Sequence, residues 1–204
     1  MRTIVAMALV ATVMGVSWAA ADPSTRHWAI ASPSGKHVVV NLRTGAGISI
    51  TGWDRDEVAV DTDWSEDRCP HATIDVSRTE RGVYIESDYP DWARGGYQSC
   101  SFGLEIKVPR HSTIRINSAG GRVAVSDVVG DVVGWTGGGQ LELVKLNGRV
   151  ELQTGGGQIQ VRDSRLDGHV QTGGGHVQFE NVQGTLTGHS GSMRRPVRAR
   201  QYSI

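Results

Sequence analysis

The stretch TGGGQ at 136–140 returns at 154–158, and nearly returns as TGGGH at 172–176. The interval is 18 residues each time, and it extends backward to SAGG at 118 and forward to SGSM at 190. A fixed short period marks a stacked array in which each lap repeats one supersecondary unit. The laps are 119–136, 137–154, 155–172 and 173–190. Val123, Leu141, Ile159 and Val177 share one lap position, and Val125, Leu143, Val161 and Phe179 fall two further on. Between them stand Ala124, Glu142, Gln160 and Gln178. That is strand alternation, with apolar side chains inward and mostly polar ones outward. Val150 and Leu152 add a second apolar pair, so each lap holds at least two short strands.

Two architectures return a chain to its own starting column. One is a parallel β-solenoid with coils stacked about 4.8 Å apart. The other is an antiparallel β-meander or sandwich, with hairpins at Asn147-Gly148 and Asp167-Gly168. Parity favours the first. A two-residue hairpin would set Leu146 opposite Arg149 and Lys145 opposite Val150, mixing apolar and polar side chains on one face. The expected fold is therefore all-β, a parallel β-solenoid of ~18-residue coils, with these glycines and the triplets as corners. Glycine reaches positive φ without strain and lets neighbouring backbones come close. No Gly-Lys-Ser/Thr follows the triplets and no helix start receives an anion, so they are not phosphate cradles.

The earlier half is less regular. Residues 45–62, 73–87 and 101–118 each carry two alternating stretches and read as three looser coils. Two loops, 63–72 and 88–100, interrupt them. They carry Trp64, Tyr89, Trp92 and Tyr97 and one cysteine each, Cys69 and Cys100.

Arg2, the apolar run from Ile4 to Trp18 and Ala19-Ala20-Ala21 read as a secretory signal, residues 1–21, too short to span. Export gives the two cysteines an oxidising home, and a Cys69–Cys100 disulfide is expected. Lys+Arg and Asp+Glu number 21 each, and losing Arg2 leaves the mature chain one negative charge. Bulk charge makes no case for nucleic acid or an anionic membrane. The expected organisation is a lead-in at 22–36, the repeat domain at 37–193 with regular coils at 119–190, and a basic cap at 194–204. The four arginines and Pro196 of that cap would blunt an open sheet edge.

GWDRDEV at 52–58, LEIKVPRHSTIRINSAGGRVAV at 104–125 and the Gly-x-Val laps that follow resemble a bacterial family of exported β-strand-repeat proteins described as candidate adhesins. The resemblance covers roughly 37–193. It implies a solenoid-like fold and an envelope location, and it brings no catalytic residues.

Candidate surfaces follow from the columns. Arg122, Gln140, Gln158 and His176 come directly after the glycines, and Trp135, Gln153, Gln171 and His189 directly before the threonines. Stacked laps place them as two ladders flanking a bare glycine edge, able to meet a glycan by stacking and hydrogen bonding. Trp64, Trp92 and Tyr97 add loop aromatics of the kind that anchor partners. The acidic runs at 53–57 and 61–67 lack EF-hand spacing and read as solvated loops. Neither Cys69 with His71 nor His169, His176 and His189 has ligand spacing, so no metal and no cofactor is expected. Outward columns carry Gln, Ala, Thr and isolated Glu, without an assembled acid and base. The expected function is non-enzymatic, adhesin-like binding or scaffolding in the periplasm or outside the cell. The partner would be an envelope protein or a glycan. The competing class is a carbohydrate-active enzyme, a polysaccharide lyase or hydrolase, which needs an outer carboxylate pair.

Overall fold

The columns of the repeat become ladders. In a computed structural model, residues 26–65, 67, 69–90, 102–192 and 195–200 are described. The expected secretory signal, Trp92, Tyr97 and Cys100 lie outside them. The first half supplies β1 (Arg26–Ala31), β2 (His37–Leu42), β3 (Gly47–Trp53), β4 (Glu57–Thr62), β5 (Thr73–Thr79), β6 (Gly82–Asp88), β7 (Gly103–Pro109) and β8 (Thr113–Ser118). The second half supplies β9 (Val123–Ser126), β10 (Val132–Thr136), β11 (Leu141–Val144), β12 (Asn147–Thr154), β13 (Ile159–Thr172), β14 (Val177–Gln183), β15 (Thr187–Ser190) and β16 (Val197–Arg198). All sixteen join one sheet, and no helix occurs among the described residues.

From residue 113 to residue 190 the strands pair in parallel and the register is the repeat. Val123 pairs with Leu141, Leu141 with Ile159, and Ile159 with Val177. Ile114 pairs with Val132, and Val132 with Val150. These strands form two wings, β9-β11-β13-β14 and β8-β10-β12-β13-β15. Strand β13 runs through both and joins them, and a single apolar cluster fills the interior. Leu143 and Val161 are register partners with no exposure.

A uniform parallel solenoid over 37–193 does not form. The sheet is mixed and curls back on itself. β1 pairs antiparallel with β4, β4 with β7, β5 with β6, and β15 with β16. Residues 45–62 and 73–87 are therefore not coils. The first splits between β3, parallel to β7, and β4, antiparallel to it; the second is the antiparallel pair β5–β6. Order in space also departs from order in sequence. β3 lies between β7 and β9, and β2 between β6 and β8. The physical reason is that a ladder bonds backbone to backbone, so any alternating strand of the right parity can enter it. The antiparallel expectation fits only these outer strands. β1 belongs to the sheet although it falls in the expected lead-in.

Two features bend each lap at 18-residue intervals, and Gly148 and Gly168, at φ of 143 and 113° within β12 and β13, belong to neither. One bend is the glycine triplet. The other is a column of left-handed residues at the same 18-residue interval: Asp127, Lys145, Asp163 and Asn181, with φ of 58, 53, 49 and 51°. Asp and Asn tolerate this region better than other residues with a Cβ. At the last lap Phe179 replaces the smaller residues of its column. It lies against Gly188, where an added Cβ would stand 2.9 Å from its ring.

Candidate functional site

Alternation decides which side chains leave the second wing. With Ile114, Ile116, Val132, Val150, Leu152 and Val170 buried inside, the residues between them face outward. Register places Asn117, Trp135, Gln153, Gln171 and His189 side by side on five successive strands. Asn41 extends this row beyond Asn117. At about 4.8 Å per strand, the six positions span about 24 Å. A second outward row runs beside it: Tyr84, Val39, Arg115, Val133, Glu151, His169 and Thr187.

Trp135 is the feature that stands out. It is 50% exposed, the largest apolar side chain left in water among the described residues. Its neighbours in the row are amides. Asn41 donates to the Tyr84 hydroxyl at 3.0 Å, which fixes the tyrosine ring. Gln153 and Gln171 are exposed and make no side-chain hydrogen bond among the described residues. The other expected ladder behaves differently. There Gln158 and Gln160 both donate to Gln178, at 2.9 and 3.4 Å. Arg122 and Arg162 both bind Glu142. These two arginines, hydrogen bonding first, hold the Glu142 carboxyl below its usual range against the opposing effect of burial. His176 stands in this ladder just before β14, whereas His169 and His189 lie on neighbouring strands of the second wing, so the three histidines do not converge.

Two grooves notch the outer face, one in the second wing and one beside it. One, of 580 Å³, is bordered by Arg149, Glu151, Arg165, Asp167, His169 and Thr187. Both of its carboxylates are engaged: Arg149 donates to Glu151 at 2.9 Å, and Asp167 accepts from the Thr185 hydroxyl and backbone at 2.6 and 2.8 Å. The Thr185 bonds, hydroxyl first, lower the Asp167 carboxyl from its usual range. The other groove, of 550 Å³, lies toward β6 at Tyr84 and Arg115.

Trp64 leaves the candidate surface. It is 8% exposed, packed in the core, with the Arg26 guanidinium 4.1 Å above its ring. It closes the interior instead of offering a contact. Cys69 is fully buried, and its expected partner Cys100 lies outside the described residues, as do Trp92 and Tyr97. The acidic runs are occupied with structure. Asp54 binds Arg110 at 2.9 Å, Asp56 accepts from Ser34, Asp61 meets His27 at 2.6 Å, and Asp63 accepts from the Gly103 amide. Asn117 was accessible from the repeat, 18 residues before Trp135. Asn41, Tyr84 and Arg115 were not singled out, because the first two reach this face only by insertion of β2 and β6 outside the repeat.

No family model matches the chain, and no curated protein matches it. Among solved structures, a candidate cell adhesion protein from Clostridium sporogenes is 11% identical, with 81% of this chain and 99% of that one covered at a TM-score of 0.40. A candidate lipid-binding protein from Parabacteroides distasonis is 9% identical over 83% of this chain and 97% of that one, at 0.26. A candidate adhesin from Parabacteroides merdae is 10% identical over the same shares, at 0.24. Likeness this loose leaves function to be argued from the chain's own surface.

Proposed function

We propose that the protein is a non-enzymatic, adhesin-like binding module of the bacterial envelope. It is exported by residues 1–21 and holds an extended, hydroxyl-rich chain such as a glycan across the outer face of its second wing. The observation that carries this reading is the row Asn117–Trp135–Gln153–Gln171–His189. It joins one half-exposed indole to amides that have no partner of their own. An indole offers a flat apolar face to the C–H side of a sugar, and primary amides donate and accept toward its hydroxyls. The rigid sheet holds them in one line, so binding need not order them.

Cleavage of a polysaccharide is the competing reading. Its best pair of carboxylates is Glu151 and Asp167, which share the 580 Å³ groove. Glu151 is tied to Arg149, and Asp167 is held ionised by Thr185. A general acid needs the opposite, a carboxyl kept protonated near working pH.

The test is retention of the mature protein on immobilised neutral and acidic envelope polysaccharides. Trp135→Ala and Gln153→Ala/Gln171→Ala are compared with the parent, and the eluate is assayed for new reducing ends. Loss of retention in both variants, without cleavage, is the expected result. Retention unchanged in both variants would refute the assignment of this face. New reducing ends would favour the enzyme.

A further inference from the structure

We infer that the groove at the β6 end of the same face is the subsite for a carboxylate-bearing sugar, so that the bound chain is an acidic glycan. This rests on the binding-module reading above and goes further, to the class of ligand. The groove measures 550 Å³ and has Val39 and the half-buried Tyr84 among its lining, with His37, Glu80, Arg81 and Arg115 around them. The row Tyr84–Val39–Arg115 is set by register on β6, β2 and β8.

The groove carries two arginines against one carboxylate. Five other arginines have acidic partners: Arg43 with Asp88, Arg110 with Asp54, Arg122 and Arg162 with Glu142, and Arg149 with Glu151, while Arg165 in the 580 Å³ groove acts on Asp167 by charge alone. Among the described residues, neither Arg81 nor Arg115 has a carboxylate within ion-pair distance, and both are exposed. The Lys36 ammonium comes close as well, donating to the Glu80 carbonyl at 3.4 Å. Two guanidinium groups and one carboxylate, that of Glu80, therefore line the groove, with the Lys36 ammonium just outside it. A guanidinium pairs a carboxylate through two parallel N–H bonds, which gives orientation as well as attraction.

The remainder of the groove suits a sugar ring. Tyr84 presents an aromatic face whose hydroxyl is already engaged by Asn41, and Val39 sits next to it in the row. A pyranose can lay its C–H face on such a floor while its carboxylate reaches the arginines. Register also sets the groove next to the proposed face. Arg115 pairs in register with Val133, and Trp135 lies two residues further along that strand. One chain crossing the strands can meet Arg115 and Trp135 together.

The experiment is affinity electrophoresis of the mature protein in gels containing polygalacturonate or its fully methyl-esterified form. The parent is run beside Arg81→Gln/Arg115→Gln and Trp135→Ala, with folding of each verified by thermal melts. The parent should bind the acid form about tenfold more tightly at low salt, the scale of one hydrogen bond to a charged group. The arginine pair variant should lose that preference while keeping its hold on the ester. Trp135→Ala should weaken both polymers and keep the preference. Equal binding of the two polymers by the parent, or a preference that survives in the arginine variant, overturns the acidic subsite but leaves the glycan reading standing. Unchanged binding in Trp135→Ala counts against the glycan reading instead. Vesicles of phosphatidylglycerol are the final arm. If they compete as well as polygalacturonate, the groove is a general anion surface and the sugar assignment fails.

Discussion

The hydroxyl of Thr154 lies 2.9 Å from the carbonyl oxygen of Gly139, in the corner directly beneath its own. Thr172 repeats the relationship with Gly157 at 2.9 Å, and Ser190 with Gly175 at 2.6 Å. Thr136, Thr154 and Thr172 are all buried. One hydroxyl per lap thus satisfies a carbonyl that the ladder leaves over where the backbone bends away. Thr154→Val keeps the shape and removes the donor. It should cost about 1–3 kcal/mol, the range for stranding a buried polar group, whereas Thr154→Ser should cost less. Urea midpoints of the two variants check this.

The three glycines of a triplet have unequal reasons to be glycine. A Cβ at Gly155 would stand 2.3 Å from the Gly137 carbonyl oxygen, and one at Gly157 would stand 2.4 Å from that of Gly139, at a φ of 89°. A Cβ at Gly156 would meet nothing within 4 Å. Gly156→Ala should change stability by no more than about 0.5 kcal/mol. Gly155→Ala and Gly157→Ala should each destabilise by about 1–3 kcal/mol through contact and backbone strain. Equal melting temperatures for the three would contradict the corner geometry.

Leu143 lies at the centre of the first wing's inner column, between Val125 and Val161, with no exposure. Leu143→Ala should cost about 2–5 kcal/mol from lost burial plus the cavity left between close-packed laps. Denaturant unfolding measures this directly.

Glu142 faces outward in the alternation, yet its side chain is only 16% exposed and bridges Arg122 and Arg162. Its replacement is therefore not a neutral surface change. Its carboxyl is lowered in the folded state, so the unfolded chain binds the proton more readily. The stabilisation is then present above the unfolded value, about 4.3, and fades as pH falls through the lower folded value. Glu142→Gln should destabilise at pH 7, and the gap from the parent should close on going toward pH 3. A gap that stays constant over that range would show that the ion pairs contribute nothing.

Cys69 is buried at the base of the loop that precedes β5. A Cys69–Cys100 bond would close a loop of about 30 residues and contribute roughly 3–4 kcal/mol in the chain-entropy model. Alkylation and intact mass of periplasmic protein, without reductant, should find no free thiol. Two alkylated cysteines would rule the bond out.

The sequence by itself determined the period, the faces and one corner. Val123, Leu141, Ile159 and Val177 had to be buried together because an 18-residue repeat with strand alternation leaves no other parity, and Trp135, Gln153, Gln171 and His189 had to share a row for the same reason. Tertiary structure decided who neighbours whom outside the repeat. Strand alternation records which side of a sheet a residue takes, but a backbone ladder accepts any partner of matching parity. Ile48 could therefore pair with both Leu104 and Val123, and Tyr84 could reach Arg115 through Val39. The same freedom buried Trp64 and made β4 and β5 antiparallel. The left-handed column at Asp127, Lys145, Asp163 and Asn181 was equally hidden, since Lys145 carries no local preference for positive φ and takes it because the laps on either side bend there. The groove at Tyr84 and Arg115 belongs wholly to this second category, because residues 37, 81 and 115 are brought together by strand insertion and not by any spacing along the chain.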